Sequence, residues 1–475
     1  MCASAGLLNT RHRGITVLLS DHETMRTIRS EPILLLLGDL IVFYVSLWLT
    51  LFVRYLELPT LELWERHVAP FTLLFLVSAV VYFIAGLYDQ HTSYVRSKLP
   101  VLVAYSQTIT VVLAALFFFL VPYFGITPKT ILAIFLAISS VLIVFWRLVL
   151  TRLFGVRRQQ RSLLLGKGAE IEELKRELNA STRFGLTVVH SFSPEDVNVS
   201  AQLQEQILSF ITRENISTLI VDTRNPHVAH ITPVFYNLLF LHPNLVILDA
   251  LRLYENIFRR IPISMLEHTW FIEHMTRHKR PIHDLLHRLF DIVLSLLLGT
   301  ITLLILPIVA LAIKLDDGGP LFSLQRRVGK DNQPLDLVKF RTMTVANDAG
   351  KWKDTENRVT RVGTFLRKTR IDELPQLWNV LQGGYSLIGP RPEFPDAVAA
   401  YASEIPYYNA RHLITPGLSG WAQLNHQAHP HHSVDIEETR NKLSYDLYYL
   451  KNRSFWLDLE VGLKTIKTLL LVVGK

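Results

Sequence analysis

The stretch Ile292–Ile313, IVLSLLLGTITLLILPIVALAI, decides the fold. It is long enough for a bilayer core, which takes ~20 apolar residues in a helix. If it crosses, everything after it lies on the far side of a membrane from everything before it. Two features oppose crossing. Lys279, Arg280 and Arg288 precede the run and Arg326, Arg327 and Lys330 follow it, so both flanks carry the charge that favours the cytoplasm. Pro307, in the C-terminal half, removes a backbone hydrogen bond and kinks the helix, which suits one that enters a leaflet and turns back. Residues 283–315 therefore read as a re-entrant membrane helix with Pro307 at its kink.

Upstream, the chain is still more apolar. Four long runs, Ile33–Phe52, Phe71–Leu87, Val101–Val121 and Thr130–Leu153, are each close to spanning length. They predict four transmembrane helices within 31–154, after a cytoplasmic arm over 1–30. The arm carries Arg11, Arg13, Arg26 and Arg29, the second loop Arg96 and Lys98, and the segment after the fourth run Arg152, Arg157, Arg158 and Arg161. In the first loop Glu57, Glu62 and Glu65 offset Arg54 and Arg66, so both ends of the bundle are expected in the cytoplasm. Asp39 and Arg147 both fall ~9 Å inside the same boundary, and they are expected to pair. The runs also account for the composition: of 475 residues 49% are hydrophobic, too many for a wholly soluble chain. A net charge of +8 suits a lipid surface or phosphorylated substrates, whereas no basic stripe interleaved with aromatics suggests nucleic acid. Cys2, the single cysteine, leaves no internal disulfide.

Between the membrane parts, over 160–270, short β-rich runs (SLLLG, LTVVHSF, STLIVD, NLVILD) alternate with helical patterns at 171–179, 201–213 and 231–241. That alternation predicts a small Rossmann-like α/β domain with a parallel sheet. Its first turn, Gly166-Lys167-Gly168, lacks the third glycine of a dinucleotide fingerprint, so a structural or regulatory turn is the stronger reading.

The last part, 316–475, is polar, and its chemistry is concentrated in Gly318-Gly319-Pro320, Gln325–Gly329, Lys339–Met343, Thr360–Arg367 and Gly389–Pro392. Cations and glycines in non-periodic settings are what phosphate binding needs. Next to them stands Arg370-Ile371-Asp372-Glu373-Leu374-Pro375. Leu374, Leu377, Trp378 and Leu381 follow at helical spacing and Gly383 or Gly384 stops the helix, so Asp372 could serve only as an N-cap. Alternatively the carboxylates hold magnesium, or one attacks phosphorus while the other holds the metal. The final segment, Phe455–Val473, is amphipathic and suits the bilayer surface.

Together LFDI, GGPLFSLQRRVG, KFRTM, TRVGTFLRKTRIDELPQLWNVLQGGYSLIGPRPE, TPGLSGWAQLN and YDLYYLKNRSFWLDL resemble the bacterial sugar transferase family of polyprenyl-phosphate hexose-1-phosphate transferases, in its long form. The resemblance implies an α-rich monotopic catalytic domain that moves a sugar-1-phosphate from a UDP-sugar to undecaprenyl phosphate and releases UMP, beginning exopolysaccharide, capsule or O-antigen synthesis. It implies that Asp372 is the nucleophile forming a phosphosugar adduct and that Glu373, with or without Asp372, holds Mg2+. It also gives Lys339, Arg367 and Arg391 to phosphate or lipid headgroup, and Arg341 and Arg361 of the same basic segments are expected to bind phosphate with them. Two segments depart from the pattern. Leu306 stands before Pro307 where a small polar residue is usual, and Asn425–His432 replaces the common Asn-Gly-Arg-Asn, so the sugar is not carried over. The histidines of that segment read as a solvated loop, with a transition-metal set as the alternative. A homodimer is left open. The competing functions are a glycosyltransferase that releases UDP and a membrane-anchored, nucleotide-sensing scaffold.

Overall fold

The computed structural model describes residues 34–88, 99–120, 129–154, 159–181, 184–193, 195, 209–229, 245–275, 280–344, 358–426 and 435–470. The chain divides into two compact units, Met1–Asn256 and Ile257–Lys475.

In the first unit four helices are long and apolar enough to cross a membrane: α1 Leu34–Tyr55, α2 Leu61–Ile84, α3 Leu99–Leu120 and α4 Lys129–Phe154. With a fifth such helix in the second unit, they make this a membrane protein. α2 begins ten residues before the apolar run expected there, because Thr60 caps it by accepting from the Leu63 amide (3.3 Å) and Glu62 suits its first turn. The helix signals, not the apolar run, set its start. Phe43, Phe71, Phe75 and Phe135 stack in the core of this unit, with ring centroids 5.3–6.3 Å apart. The expected charge pair forms there. Asp39 accepts from Arg147 Nη2 at 2.5 Å and from Nε at 3.3 Å, while Arg147 Nη1 donates to the Leu87 carbonyl. At Gly38 a Cβ would overlap the Trp146 ring, so glycine permits the close approach of α1 to α4.

The α/β part follows the sequence reading closely. All four expected strands form: β1 Gln160–Leu165, β2 Leu186–Phe192, β3 Thr218–Val221 and β4 Val246–Asp249. They pair in parallel in the order β2-β1-β3-β4 over buried Leu163, Leu165, Leu219 and Val221. Of the expected helices, 171–179 lies within α5 Ala169–Ala180, residues 209–213 of the second are helical, and 231–241 falls outside the described residues. Glu170 and Glu172 occupy the first turn of α5, where carboxylates oppose the approach of a phosphate to the helix N-terminus.

The second unit is organised on α6, Pro281–Asp317, an unbroken helix of 37 residues with Pro307 inside it. Both of its ends are held by the same domain. Near the start, Arg288 donates to the Val380 and Leu381 carbonyls (2.6 and 2.7 Å), and Asp291 accepts from Ser386 Oγ and the Leu387 amide (3.1 and 3.0 Å). Near the end, Val309 and Ile313 pack on Phe340 and Leu366, and Asp316 accepts from the Val362 amide at 2.9 Å. Between these anchors, residues 296–308 include no buried side chain, and Leu304 and Ile308 are 73% and 70% exposed. So much apolar surface at the middle of an anchored helix needs lipid.

Candidate active site

Three elements assemble the site: the hairpin of β5 Phe322–Val328 and β6 Pro334–Phe340, the helix α7 Arg361–Thr369, and the helix α8 Gln376–Gln382. Asn379 of α8 fastens to the edge of β6, accepting from the Val338 amide (3.1 Å) and donating to the Asp336 carbonyl (2.9 Å). That brings Lys339 of β6 beside the turn before α8. α7 closes against the end of the same strand at Gly363, where any Cβ would overlap the Thr342 carbonyl. One turn on, Arg367 Nε reaches Thr342 Oγ1 at 2.9 Å.

Asp372 and Glu373 lie in a separate 3-10 turn, Ile371–Glu373, between α7 and α8. This corrects the expectation of an N-cap. Arg370, with a left-handed backbone (φ 59°), both ends α7 and opens the turn, so Asp372 sits inside the turn, and the position before α8 belongs to Pro375. Gly383 stops α8 in a left-handed conformation (φ 91°), as expected. Asp372 is buried, yet its Oδ1 accepts no hydrogen bond among the described residues. The adjacent Gln376 Nε2 is likewise buried without a partner.

Glu373 is the opposite case. Its Oε1 accepts from Lys339 Nζ at 3.1 Å and from Arg391 Nη2 at 3.0 Å, with Arg370 Nη1 at 3.9 Å. Arg391 is delivered by the loop after β7 Ser386–Ile388, which runs against β8 Gly417–Ser419. Gly389 and Gly417 allow that approach, since a Cβ on either would meet the other strand's backbone. Arg411 Nη2 donates to the Arg391 carbonyl at 2.8 Å and fixes the loop.

The electrostatics separate the two carboxylates. Burial alone would raise the Glu373 pKa, but Arg391, Lys339 and Arg370 outweigh it and hold the group well below the usual range. For Asp372, burial and then the Glu373 charge raise the pKa against Lys339, Arg370 and Arg367. The cations are in excess. Burial and the neighbouring Arg391 bring Arg327 down to about 10, and burial with Arg391 and Arg327 lowers Lys339 despite Glu373. Arg391 shifts the other way, raised first by the Glu373 charge, so Glu373 serves Arg391 best and leaves Arg327 and Lys339 as buried cations that a polyanionic ligand would stabilise.

Of the residues expected from sequence, Asp372, Glu373, Lys339, Arg367 and Arg391 come together. Arg341 does not join them: it is buried in an ion pair with Asp317 and donates to the Pro320 carbonyl at 2.7 Å, bracing the end of α6. Arg361 opens α7, exposed, beside Asp316. Two further cations join them that the sequence did not single out, Arg370 and, within the expected phosphate-binding stretch Gln325–Gly329, Arg327, the latter 3.4 Å over the Phe394 ring with a buried, unpartnered Nε. Only the observed burial along β5 singles out Arg327, because apolar Phe322 and Leu324 share their face with Arg326 and an apolar-in reading would have turned that residue inward. Exposed Phe322, Leu324 and Arg326 alternate with inward Ser323, Gln325 and Arg327, so of the two adjacent arginines the second faces inward. Arg326 instead pairs across the hairpin with Asp336 at 3.0 Å. Of the histidine segment only His426 is described, paired with Glu438 at 2.6 Å; the others lie outside the described residues.

Comparison with known proteins bears on this half of the chain. The bacterial sugar transferase family model matches residues 282–472. A UDP-N-acetylgalactosamine-undecaprenyl-phosphate N-acetylgalactosaminephosphotransferase of Aeromonas hydrophila is 43% identical over 197 residues, 41% of this chain and 46% of that one. An undecaprenyl-phosphate glucose phosphotransferase of Komagataeibacter xylinus is 30% identical over 331 residues, 66% and 59% of the two chains. The match spans about half the length of these two relatives. It covers 70% of a UDP-glucose:undecaprenyl-phosphate glucose-1-phosphate transferase of Caulobacter vibrioides, with 39% identity over 190 residues, 39% of this chain. The family-model match contains every residue of the site, and with the match to 70% of the Caulobacter vibrioides transferase the chain belongs to the bacterial sugar transferase family.

Proposed function

We propose that this protein transfers a sugar-1-phosphate from a UDP-sugar to undecaprenyl phosphate, releasing UMP, as the opening step of a cell-surface glycan. The observation that carries the reading is one cluster holding a buried carboxylate oxygen with no protein partner among the described residues, Asp372 Oδ1, beside four cations, Lys339, Arg391, Arg370 and Arg327, that share the single nearby carboxylate Glu373. The relatives' names supply the substrate class.

The reaction divides into two displacements at one phosphorus. An Asp372 oxygen attacks the phosphorus that bears the sugar. The bond to the bridging oxygen breaks, and UMP leaves with that oxygen. An oxygen of undecaprenyl phosphate then attacks the aspartyl phosphosugar, the acyl-phosphate bond breaks, and Asp372 is regenerated as undecaprenyl-diphosphate sugar departs. The raised pKa of Asp372 makes it a more basic, hence stronger, nucleophile. Lys339, Arg391, Arg370 and Arg327 surround the pocket where phosphate charge gathers, and Glu373 holds Lys339 and Arg391 in place. A magnesium ion fits the donor set, because Asp372 Oδ1 is a hard oxygen without a partner and Glu373 adjoins it. When bound, it would be held by these two carboxylates and would neutralise phosphate charge.

The same reading orients the membrane parts. α1–α4 form a four-helix transmembrane bundle, α6 is re-entrant, and the α/β and transferase domains lie on the cytoplasmic side of the inner membrane. Arg/Lys-rich flanks and the exposed apolar middle of α6 support it. A panel of UDP-sugars with undecaprenyl phosphate and magnesium, scored for nucleotide product, tests the proposal. UMP is expected; UDP as the product would contradict it.

A further inference from the structure

Away from the phosphate pocket, a second cluster joins α6 to the C-terminal helix, α10 Phe455–Leu470, which follows α9 Ile436–Asn452. His283 and His287 stand one turn apart on α6, so their rings leave from one face. Asp458 of α10 sits against both: its Oδ2 is 2.9 Å from His283 Nε2 and 2.7 Å from His287 Nδ1. The remaining ring nitrogens are engaged as well. His283 Nδ1 is 3.2 Å from Asp284 Oδ1, and His287 Nε2 is 2.8 Å from Ser386 Oγ.

His283 Nε2, His287 Nδ1 and Asp458 Oδ2 lie within 4.8 Å of one another, at N···O distances that a proton or a divalent ion can bridge. The Ser386 hydroxyl, which donates to Asp291 Oδ1 at 3.1 Å, can accept from His287 Nε2, and Asp284 can accept from His283 Nδ1, so the nitrogen that each ring turns to Asp458 can donate to it as imidazolium or ligate a metal as neutral imidazole. Tyr449 donates to the other carboxylate oxygen, Oδ1, at 2.7 Å.

We propose that His283, His287 and Asp458 bind a divalent transition metal of the zinc class, which fastens the start of the membrane helix to α10. A His-His-carboxylate set selects such a metal over magnesium, which prefers oxygen ligands alone. Each ligand already has the outer partner that orients metal-binding side chains: Asp284 for His283, Ser386 for His287 and Tyr449 for Asp458. Three protein ligands leave the fourth position of a tetrahedral zinc to water. His283 and His287 keep 12% and 18% of their side-chain surface exposed, which gives an ion entry.

The test uses the full chain in detergent, tag removed, stripped with chelator and titrated with zinc alone. His429, His431 and His432 are replaced by alanine throughout so that they cannot compete. One equivalent of zinc is expected to bind and to raise the melting temperature, and cobalt(II) in its place should give a visible ligand-field band. His287→Lys, whose ammonium can pair with Asp458, should fold, bind no zinc and show no band. Absence of stoichiometric zinc would overturn the proposal, as would binding that survives His287→Lys. A stability that follows pH through the imidazole range identically with and without zinc would assign the site to two protons instead.

Discussion

At the scale of single residues, the question is whether Asp372 holds the fold or performs chemistry, and the geometry gives the two roles opposite signs. A capping aspartate lost to asparagine or alanine destabilises by roughly 0.5–2 kcal/mol at most. A buried carboxylate with no partner on Oδ1 and a like charge beside it is instead strained in the resting protein. Asp372→Asn is therefore predicted to leave the melting temperature unchanged or raise it; a fall of several degrees would restore the cap. Glu373→Gln is predicted to behave in the reverse sense, because it strips Lys339 and Arg391 of their shared partner. Breaking such a buried pair costs about 3–5 kcal/mol, which chemical denaturation of the detergent-solubilised chain would measure. The pair itself was legible as two carboxylates among cations. Their division of labour was not, since it depends on which oxygen Lys339 and Arg391 reach across 34 and 18 residues of chain.

At the scale of elements, apolar length and helix signals predicted all five membrane helices, and the strand runs predicted the parallel sheet. What length could not supply were long-range partners: Arg341 reads as a phosphate ligand beside Lys339 but closes on Asp317 at the end of α6. Asp39 and Arg147 were found because depth in a bilayer, unlike distance in a soluble fold, can be counted along the sequence. Either single replacement, Asp39→Leu or Arg147→Leu, is predicted to lower thermal stability in detergent sharply, and the double replacement to recover most of it. A double mutant as unstable as the sum of the singles would contradict the pairing account. For α6, Pro307 leaves the Leu303 carbonyl without its helical donor and is the position in the helix interior where proline favours a bend. In a Cys2→Ser background, a lone cysteine from Lys368→Cys should resist an impermeant maleimide in intact cells. Adding Pro307→Leu should let α6 straighten and expose it, whereas labelling with Pro307 intact would refute re-entrance.

At the scale of the whole molecule, the transferase domain is tied together by buried charge as much as by apolar contact. Glu393 pairs with Lys442 and lies 3.9 Å from Arg411, whose Nη2 is 2.8 Å from Asp446. Burial would raise the Glu393 pKa, but Lys442 and then Arg411 hold it at about 2. Its folded pKa is thus below the unfolded value of ~4.3. The resulting stability, on the order of 3 kcal/mol, is present above that value and is lost as pH falls toward 2. Glu393→Gln should remove this part of the acid dependence; an unchanged profile would mean that other carboxylates carry it. All of this architecture serves one centre, where the account makes its strongest claim. The most direct test incubates the full chain with a UDP-sugar carrying labelled β-phosphate, without lipid acceptor, and looks for label on the protein. The account predicts an adduct at Asp372 that undecaprenyl phosphate discharges, absent from a folded Asp372→Asn variant. Labelling that persists in Asp372→Asn, or UMP release from that variant at the wild-type rate, would contradict it.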